Sequence, residues 1–190
     1  MEILPLNIDG AWLANSRINN DERGSFREWF KFSDIESTTG ITFETNQANL
    51  SKSAKGTVRG IHYGLYKEGQ AKWITCVTGK IRDVIVDIRV GSPTFGKQIS
   101  IELNAYDGTS ILIGTGLGHG FSVLEEDSCV GYLVSVEYSP NEEFEIFPLD
   151  RSLSIDWGVS EPEMKISEKD RLAPTLDMRK NTNQLPTWAK

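Results

Sequence analysis

The sequence predicts an all-β fold, and three observations predict it. The middle of the chain is a succession of short apolar runs of strand length, turn dipeptides and acidic breaks separate those runs, and no stretch sustains a helical period. WITCVTG (73–79) leads into KIRDVIVDIRV (80–90), with Gly79-Lys80 as the expected hairpin turn. QISIEL (98–103) alternates between polar and apolar, as a strand with one wet face does. AYDGTSILIG (105–114) sets Asp107-Gly108, a strong hairpin dipeptide, just before another apolar run. FSVL (121–124) and CVGYLVSVEY (129–138) continue the series across the acidic turn EEDS. Helix is expected only as a turn around EWFKFSD (28–34) and another near SEKDRL (167–172). Short strands without crossover helices suit a sandwich or barrel, here a jelly-roll barrel with short peripheral helices. The 190 residues are read as a single domain (1–190), with a core of about 21–174 and a polar, loosely packed tail, 175–190.

Composition narrows the function. Hydrophobic residues make up 38% of the chain and charged residues 25%, which is a folding composition. The net charge of −7 argues against nucleic-acid or anionic-membrane partners, but a small phosphorylated ligand needs only a few local cations. No apolar stretch is long enough to span a membrane, and MEILPLNIDGAW lacks the basic n-region and apolar run of a signal peptide. Cys76 and Cys129 both lie in apolar runs and read as buried small hydrophobes, which suits a reducing cytoplasm.

The chain holds only two histidines, and both sit among glycines: His62 in TVRGIHYG (57–64) and His119 in GLGHGFSVL (116–124). A metal site would need three or four gathered ligands, and nothing in this spacing favours one, so no metal is expected. Two readings remain. Each histidine could be a hydrogen-bonded packing residue at a strand end, its glycines serving bulges and tight turns. Alternatively, a neutral imidazole with a pKa near about 6.5 would be a general base at neutral pH, with glycines allowing close approach of a ligand. Spacing alone does not choose between them.

Seven segments carry a resemblance: DERGSFRE (21–28), NQANLSKSAKGTVRGIHY (46–63), GQAKW (69–73), GKIRDVIVDIRVGSPTFGKQ (79–98), GLGHGF (116–121), GYLVSVEYSPNEE (131–143) and SEKDRLAP (167–174). In this order they resemble the dTDP-4-dehydrorhamnose 3,5-epimerase family, the sugar-nucleotide epimerases of the cupin class. The resemblance implies a jelly-roll homodimer acting on a dTDP-linked 4-keto-6-deoxy sugar without metal or other cofactor. It implies that His62 is the catalytic base, that Asp170 pairs with it, that Lys72 stabilises the enolate oxygen and that Tyr132 delivers a proton from the opposite face. His119 matches a residue lining the sugar or phosphate pocket. Arg23, Glu28, Gln47, Asn49, Arg59, Glu143 and Lys169 match positions that bind the nucleotide and its pyrophosphate, with Arg23 and Glu28 reaching the neighbouring subunit's pocket. Asp83 matches a position near the active site, and a buried structural role fits it equally.

The chain departs from the commonest pattern in three places. Leu133 replaces a lysine after the tyrosine, LIG (112–114) replaces Trp-Ile-Pro, and HYG replaces HYQ. These features resemble the epimerases of unusual deoxysugar and antibiotic pathways, some of which invert only C3 or only C5. The 3,5-epimerase is the activity expected; a mono-epimerase, or a related sugar-nucleotide 3,4-ketoisomerase, is the alternative.

Overall fold

A computed structural model of the chain describes residues 1–188; the last two residues of the expected tail lie outside them. In chain order the elements are β1 (Glu2–Pro5), β2 (Ala11–Asn15), β3 (Asn19–Asp21), β4 (Gly24–Phe26), α1 (Phe32–Thr39), β5 (Gln47–Ser53), β6 (Thr57–Gly64), β7 (Lys72–Thr78), β8 (Lys80–Asp87), β9 (Gln98–Asn104), β10 (Thr109–Ile113), β11 (Leu117–Val123), β12 (Ser128–Val134), β13 (Glu143–Glu145), β14 (Lys165–Ile166), α2 (Glu168–Arg171) and α3 (Leu176–Asn181). Two large sheets face each other. The first runs β1-β2-β10-β7-β12-β5 and the second β13-β6-β11-β8-β9, with β14 parallel to β6. A separate two-stranded ribbon, β3-β4, lies outside both.

Alternation explains what sits between the sheets. Along β9, Ile99, Ile101 and Leu103 turn inward while Gln98, Ser100 and Glu102 face out, as expected of a strand with one wet face. Ile74 and Cys76 of β7, Ile81 and Ile85 of β8, and Phe121 and Val123 of β11 complete one apolar end of the interior. The outer face of the second sheet is covered by Trp157, Leu153 and the C-terminal segment, and that of the first by Ile35, Phe43 and Trp29.

Four expectations are corrected. Gly79-Lys80 does not close a hairpin, because β7 belongs to the first sheet and β8 to the second; Asp107-Gly108 likewise carries the chain from β9 in the second sheet to β10 in the first. Both glycines do adopt the left-handed conformation that a tight reversal needs (φ 74° at each), so the turns are real and only their pairing partners differ. The first helix begins only at Phe32, near the end of the expected 28–34, and runs on to Thr39, because Trp29 and Phe30 pack on the sheet and Trp73 Nε1 donates to the Trp29 carbonyl (2.9 Å). The tail is not loose: Leu176, Arg179 and Leu185 are buried, and Arg179 Nε donates to the Glu145 carbonyl (2.9 Å).

The DIRVGSPTFG segment builds a fixed corner around Asp87. Its buried carboxylate accepts from Arg89 Nε (2.9 Å) and Nη2 (2.8 Å) and from the hydroxyls of Ser92 and Thr94 (2.5 Å each). Burial alone would raise its pKa, but these donors outweigh burial and bring it down to about 2. A carboxyl with a folded pKa below its unfolded value stabilises the protein above that unfolded value and loses the contribution as pH falls through the folded one. The expected contribution is about 2 kcal/mol, present in full above about pH 4 and largely gone near pH 2. Urea denaturation of the wild type and Asp87→Asn across that range checks this: the variant should be less stable at neutral pH and show a shallower acid decline.

Candidate active site

The second sheet supplies one wall of a cleft through a bulge in β6. Arg59 and His62 are three residues apart, so strict alternation would send them to opposite faces. Opposite β11, however, His62 pairs with His119 and Arg59 with Phe121, so three steps on β6 match two on its neighbour. The extra residue returns both side chains to the same face. Gly60 makes this possible. Its φ is +106°, and a Cβ there would lie 2.6 Å from the His119 carbonyl oxygen and 2.7 Å from Gly120 Cα.

The first sheet supplies the other wall. Tyr132 lies opposite Ile74 and Asn49, and Val134 opposite Lys72 and Gln47. Directly paired residues share a face, as do residues two apart, so Gln47, Asn49, Lys72 and Tyr132 point the same way, toward β6. The resulting cleft has a volume of about 710 Å³, within the range of small-molecule sites. Gln47, Asn49, Arg59, His62, Lys72, Tyr132, Glu143, Lys169 and Asp170 all line it.

His62 Nε2 is 2.8 Å from Asp170 Oδ1. Asp170 sits in α2, where the Ser167 hydroxyl caps the first turn by accepting from the Asp170 backbone N–H. Burial would raise the Asp170 pKa, but the bond and charge of His62, with Ser167 and the Gly60 N–H, outweigh it and hold the carboxyl below its ordinary value. An ionised carboxylate only accepts, so Nε2 carries the hydrogen toward Asp170, and in the neutral imidazole Nδ1 is then the acceptor. Burial pushes the Lys72 ammonium below the ordinary lysine value, with Glu143 and Asp83 partly offsetting it. Burial pushes the Tyr132 phenol up; Arg59 opposes the rise and Glu143 adds to it. Four cations (Arg59, Lys72, Lys165 and Lys169) line the cleft of a chain whose net charge is −7. This is a phosphate-compatible concentration of positive charge.

Four of the residues singled out in the sequence do not line this cleft. His119, directly opposite His62 on β11 and so on the same face, is 9% exposed; its Nε2 is 2.8 Å from Asp83 Oδ2, deeper in the interior than the residues that line the cleft. Asp83 is fully buried. Arg23, on the β3-β4 ribbon, is largely exposed and pairs with Asp21, while Glu28 faces a separate small hollow with Arg17 and Lys31. The protomer alone therefore does not bring Arg23 or Glu28 to its own cleft.

Gln70, Tyr138, Lys165 and Ser167 line or shape the cleft and were not singled out in the sequence. Gln70 and Tyr138 lie inside matching segments, GQAKW and GYLVSVEYSPNEE, where polarity next to the assigned residues was the available signal. Leu133 and Leu112 pack on the outer face of the first sheet, away from the cleft, so two of the three departures do not touch a ligand directly.

Comparison with known proteins bears on this geometry. Residues 5–178 match the family model described as dTDP-4-dehydrorhamnose 3,5-epimerase. The chain is 44% identical to the dTDP-4-dehydrorhamnose 3,5-epimerase of Mycolicibacterium smegmatis over 97% of its own length and 90% of that protein. It is 40% identical to a dTDP-4-dehydro-6-deoxyglucose 3-epimerase of a Streptomyces species, over 97% of this chain and 93% of the relative. The structure of NovW, a 4-keto-6-deoxy sugar epimerase from the novobiocin biosynthetic gene cluster of Streptomyces spheroides, matches with a TM-score of 0.95 at 37% identity, covering 99% of this chain and 94% of NovW.

Proposed function

Since the chain belongs to the dTDP-4-dehydrorhamnose 3,5-epimerase family, we propose that it inverts C3 and C5 of a dTDP-linked 4-keto-6-deoxyhexose. One observation carries the mechanism: His62 and Tyr132 enter the same cleft from opposite sheets. Inversion needs a base on one face of the carbon and an acid on the other.

His62 Nδ1 takes the proton from the carbon beside the C4 ketone. The C–H electrons form a C=C bond and the carbonyl oxygen becomes an enolate. Asp170 holds the His62 tautomer and stabilises the imidazolium, and the Lys72 ammonium faces the enolate oxygen in a desolvated setting, where one cation counts most. Tyr132 gives its phenolic proton to the opposite face. Burial keeps that phenol protonated until the enolate calls on it, and Arg59 is placed to stabilise the resulting phenolate. Solvent reprotonates Tyr132 and accepts the His62 proton, so the product hydrogen originates in water. Arg59 and Lys169 hold the pyrophosphate, where Arg offers a two-pronged fork and Lys a point charge.

The reaction draws on this chain's residues alone, without metal or other cofactor; among the described residues no three His, Cys, Asp or Glu side chains are grouped as a metal cage requires. EDTA should leave turnover unchanged. The enzyme works as a homodimer in which Arg23 and Glu28 complete the partner's cleft, a role supported by their placement outside their own and by the exposed Phe26 and Leu50 on the ribbon and edge strand. Its compartment is the cytoplasm, which suits two free cysteines, one with burial raising its thiol pKa to about 12. A C3-only epimerase is the second reading, favoured by the Streptomyces relative at 40% identity.

Tyr132→Phe separates the two half-reactions. His62 can still remove and return a proton on its own face, so deuterium should enter the substrate from heavy water while inversion falls by about 10²-fold or more. Proton NMR of substrate and product reads both. If inversion persists at the wild-type rate, Tyr132 is not the acid.

A further inference from the structure

Gly64 marks a position where a side chain and the Tyr66 ring compete for the same room. A Cβ there would lie 2.4 Å from both Cδ2 and Cε2 of Tyr66. Unlike Gly60, Gly64 is not in the left-handed region, so the requirement is room rather than backbone freedom. The Tyr66 ring occupies that room.

The phenol then ties together parts of the cleft wall that are distant in sequence. Tyr66 Oη donates to Glu143 Oε1 (3.0 Å) and accepts from the Ser139 backbone N–H (2.9 Å). Gln70 Nε2 donates to the same Glu143 oxygen at 2.6 Å. Burial pushes the Tyr66 pKa up to about 12, so the donor persists across neutral pH. Among the described residues nothing donates to Glu143 Oε2, which leaves it as the oxygen a ligand can reach. An ionised carboxylate repels phosphate and accepts from O–H and N–H groups. Glu143 is therefore suited to a sugar hydroxyl or the base N–H of the ligand, and not to its pyrophosphate. Tyr138, the neighbour of Ser139, also lines the cleft, with 59% of its surface exposed.

We propose that Tyr66 is a positioning residue for substrate binding: seated on Gly64, it fixes the Glu143 carboxylate and the Tyr138–Ser139 turn so that both meet a dTDP-sugar already oriented. This rests on the function proposed above. Holding binding groups in place lowers the ordering cost of association and acts on ground state and transition state alike, so the effect belongs in KM and ligand affinity more than in kcat.

Tyr66→Phe keeps the ring and removes one hydroxyl. The expected result is a dTDP dissociation constant and a KM each raised about tenfold, with kcat within about twofold of wild type and thermal stability little changed. Gly64→Ala, which displaces the ring, should give the same pattern. In a Tyr66→Ala background the added methyl meets no ring, only Gln70 Oε1 at 3.3 Å, so Gly64→Ala should add little further. That checks that the glycine acts through the ring, while the split between KM and kcat separates positioning from a merely structural role. Calorimetric titration with dTDP and steady-state kinetics on the dTDP-4-keto-6-deoxy sugar read these quantities. Unchanged affinity and KM in Tyr66→Phe, or full additivity of the two changes, would overturn the inference while wild-type turnover kept the epimerase reading intact. A wild type that binds dTDP but converts no sugar would sink that reading, and the affinity of Tyr66→Phe for dTDP would still test the inference.

Discussion

His62→Ala should lose about 10³–10⁴-fold in kcat while binding dTDP within a few-fold of wild type. The size of the loss follows from the base's double role: it abstracts the proton, and its charged form is stabilised by Asp170 at 2.8 Å. Alanine removes the acceptor and leaves a buried carboxylate without its partner, and nothing else that lines the cleft is arranged to replace it. The affinity should survive because the groups assigned to the nucleotide, Gln47, Asn49, Arg59 and Lys169, sit on other residues of β5 and β6 and on α2. Steady-state kinetics and calorimetric titration with dTDP check the two halves separately. A variant that kept most of its turnover would place the base elsewhere.

Lys72→Met should lower kcat/KM by about 10²–10³-fold, comparable to the loss of one oxyanion donor. Methionine preserves length and apolar packing, so the change is mainly one of charge. Its signature differs from that of Tyr132→Phe: without the cation the enolate forms slowly, so deuterium exchange and inversion should fall together. The pH profile adds a second sign. The ammonium form is required, and burial lowers the Lys72 pKa, with Glu143 and Asp83 only partly offsetting it. Activity of the wild type should therefore decline as pH rises through a value below the ordinary lysine pKa of about 10.4, and that alkaline limb should be absent in Lys72→Met. Exchange that continued at the wild-type rate in the variant would exclude Lys72 from enolate stabilisation.

The strands of the middle of the chain were legible because one face of each is buried. QISIEL and its neighbours alternate, and β7 to β12 fall where that alternation placed them, within a few residues. Their partners were not legible. Gly79 and Asp107-Gly108 announce a reversal, but the local chain does not say whether it returns to its own sheet or crosses to the other, which tertiary packing decides. The tail misled by its polarity: Leu176, Arg179 and Leu185 bury a minority of its surface against the second sheet, too few residues to produce a periodic signal.

The site was legible only through the joint resemblance. Taken singly, Lys72, Asp170 and Tyr132 each had an ordinary structural reading. The resemblance named residues without saying how they share a face. It took the bulge at Gly60 to show why Arg59 and His62, at odd spacing, both reach the cleft. His119 shares the face of His62, its direct partner across β6 and β11, but is more deeply buried and bonded to Asp83, a depth that its glycine-flanked motif did not announce. Tyr66 gave no signal at all, since its role depends on an absent side chain two residues away.

Solvent deuterium incorporation tests the central claim most directly. The wild-type protein is incubated with dTDP-4-keto-6-deoxyglucose in heavy water and followed by proton NMR. The account predicts loss of the C3 and C5 proton signals and accumulation of the L-lyxo sugar carrying deuterium at both carbons. Exchange at C3 alone would retain His62 and Tyr132 in their roles and make the enzyme a mono-epimerase. Exchange at neither carbon, in a protein that binds dTDP, would contradict proton abstraction beside the ketone.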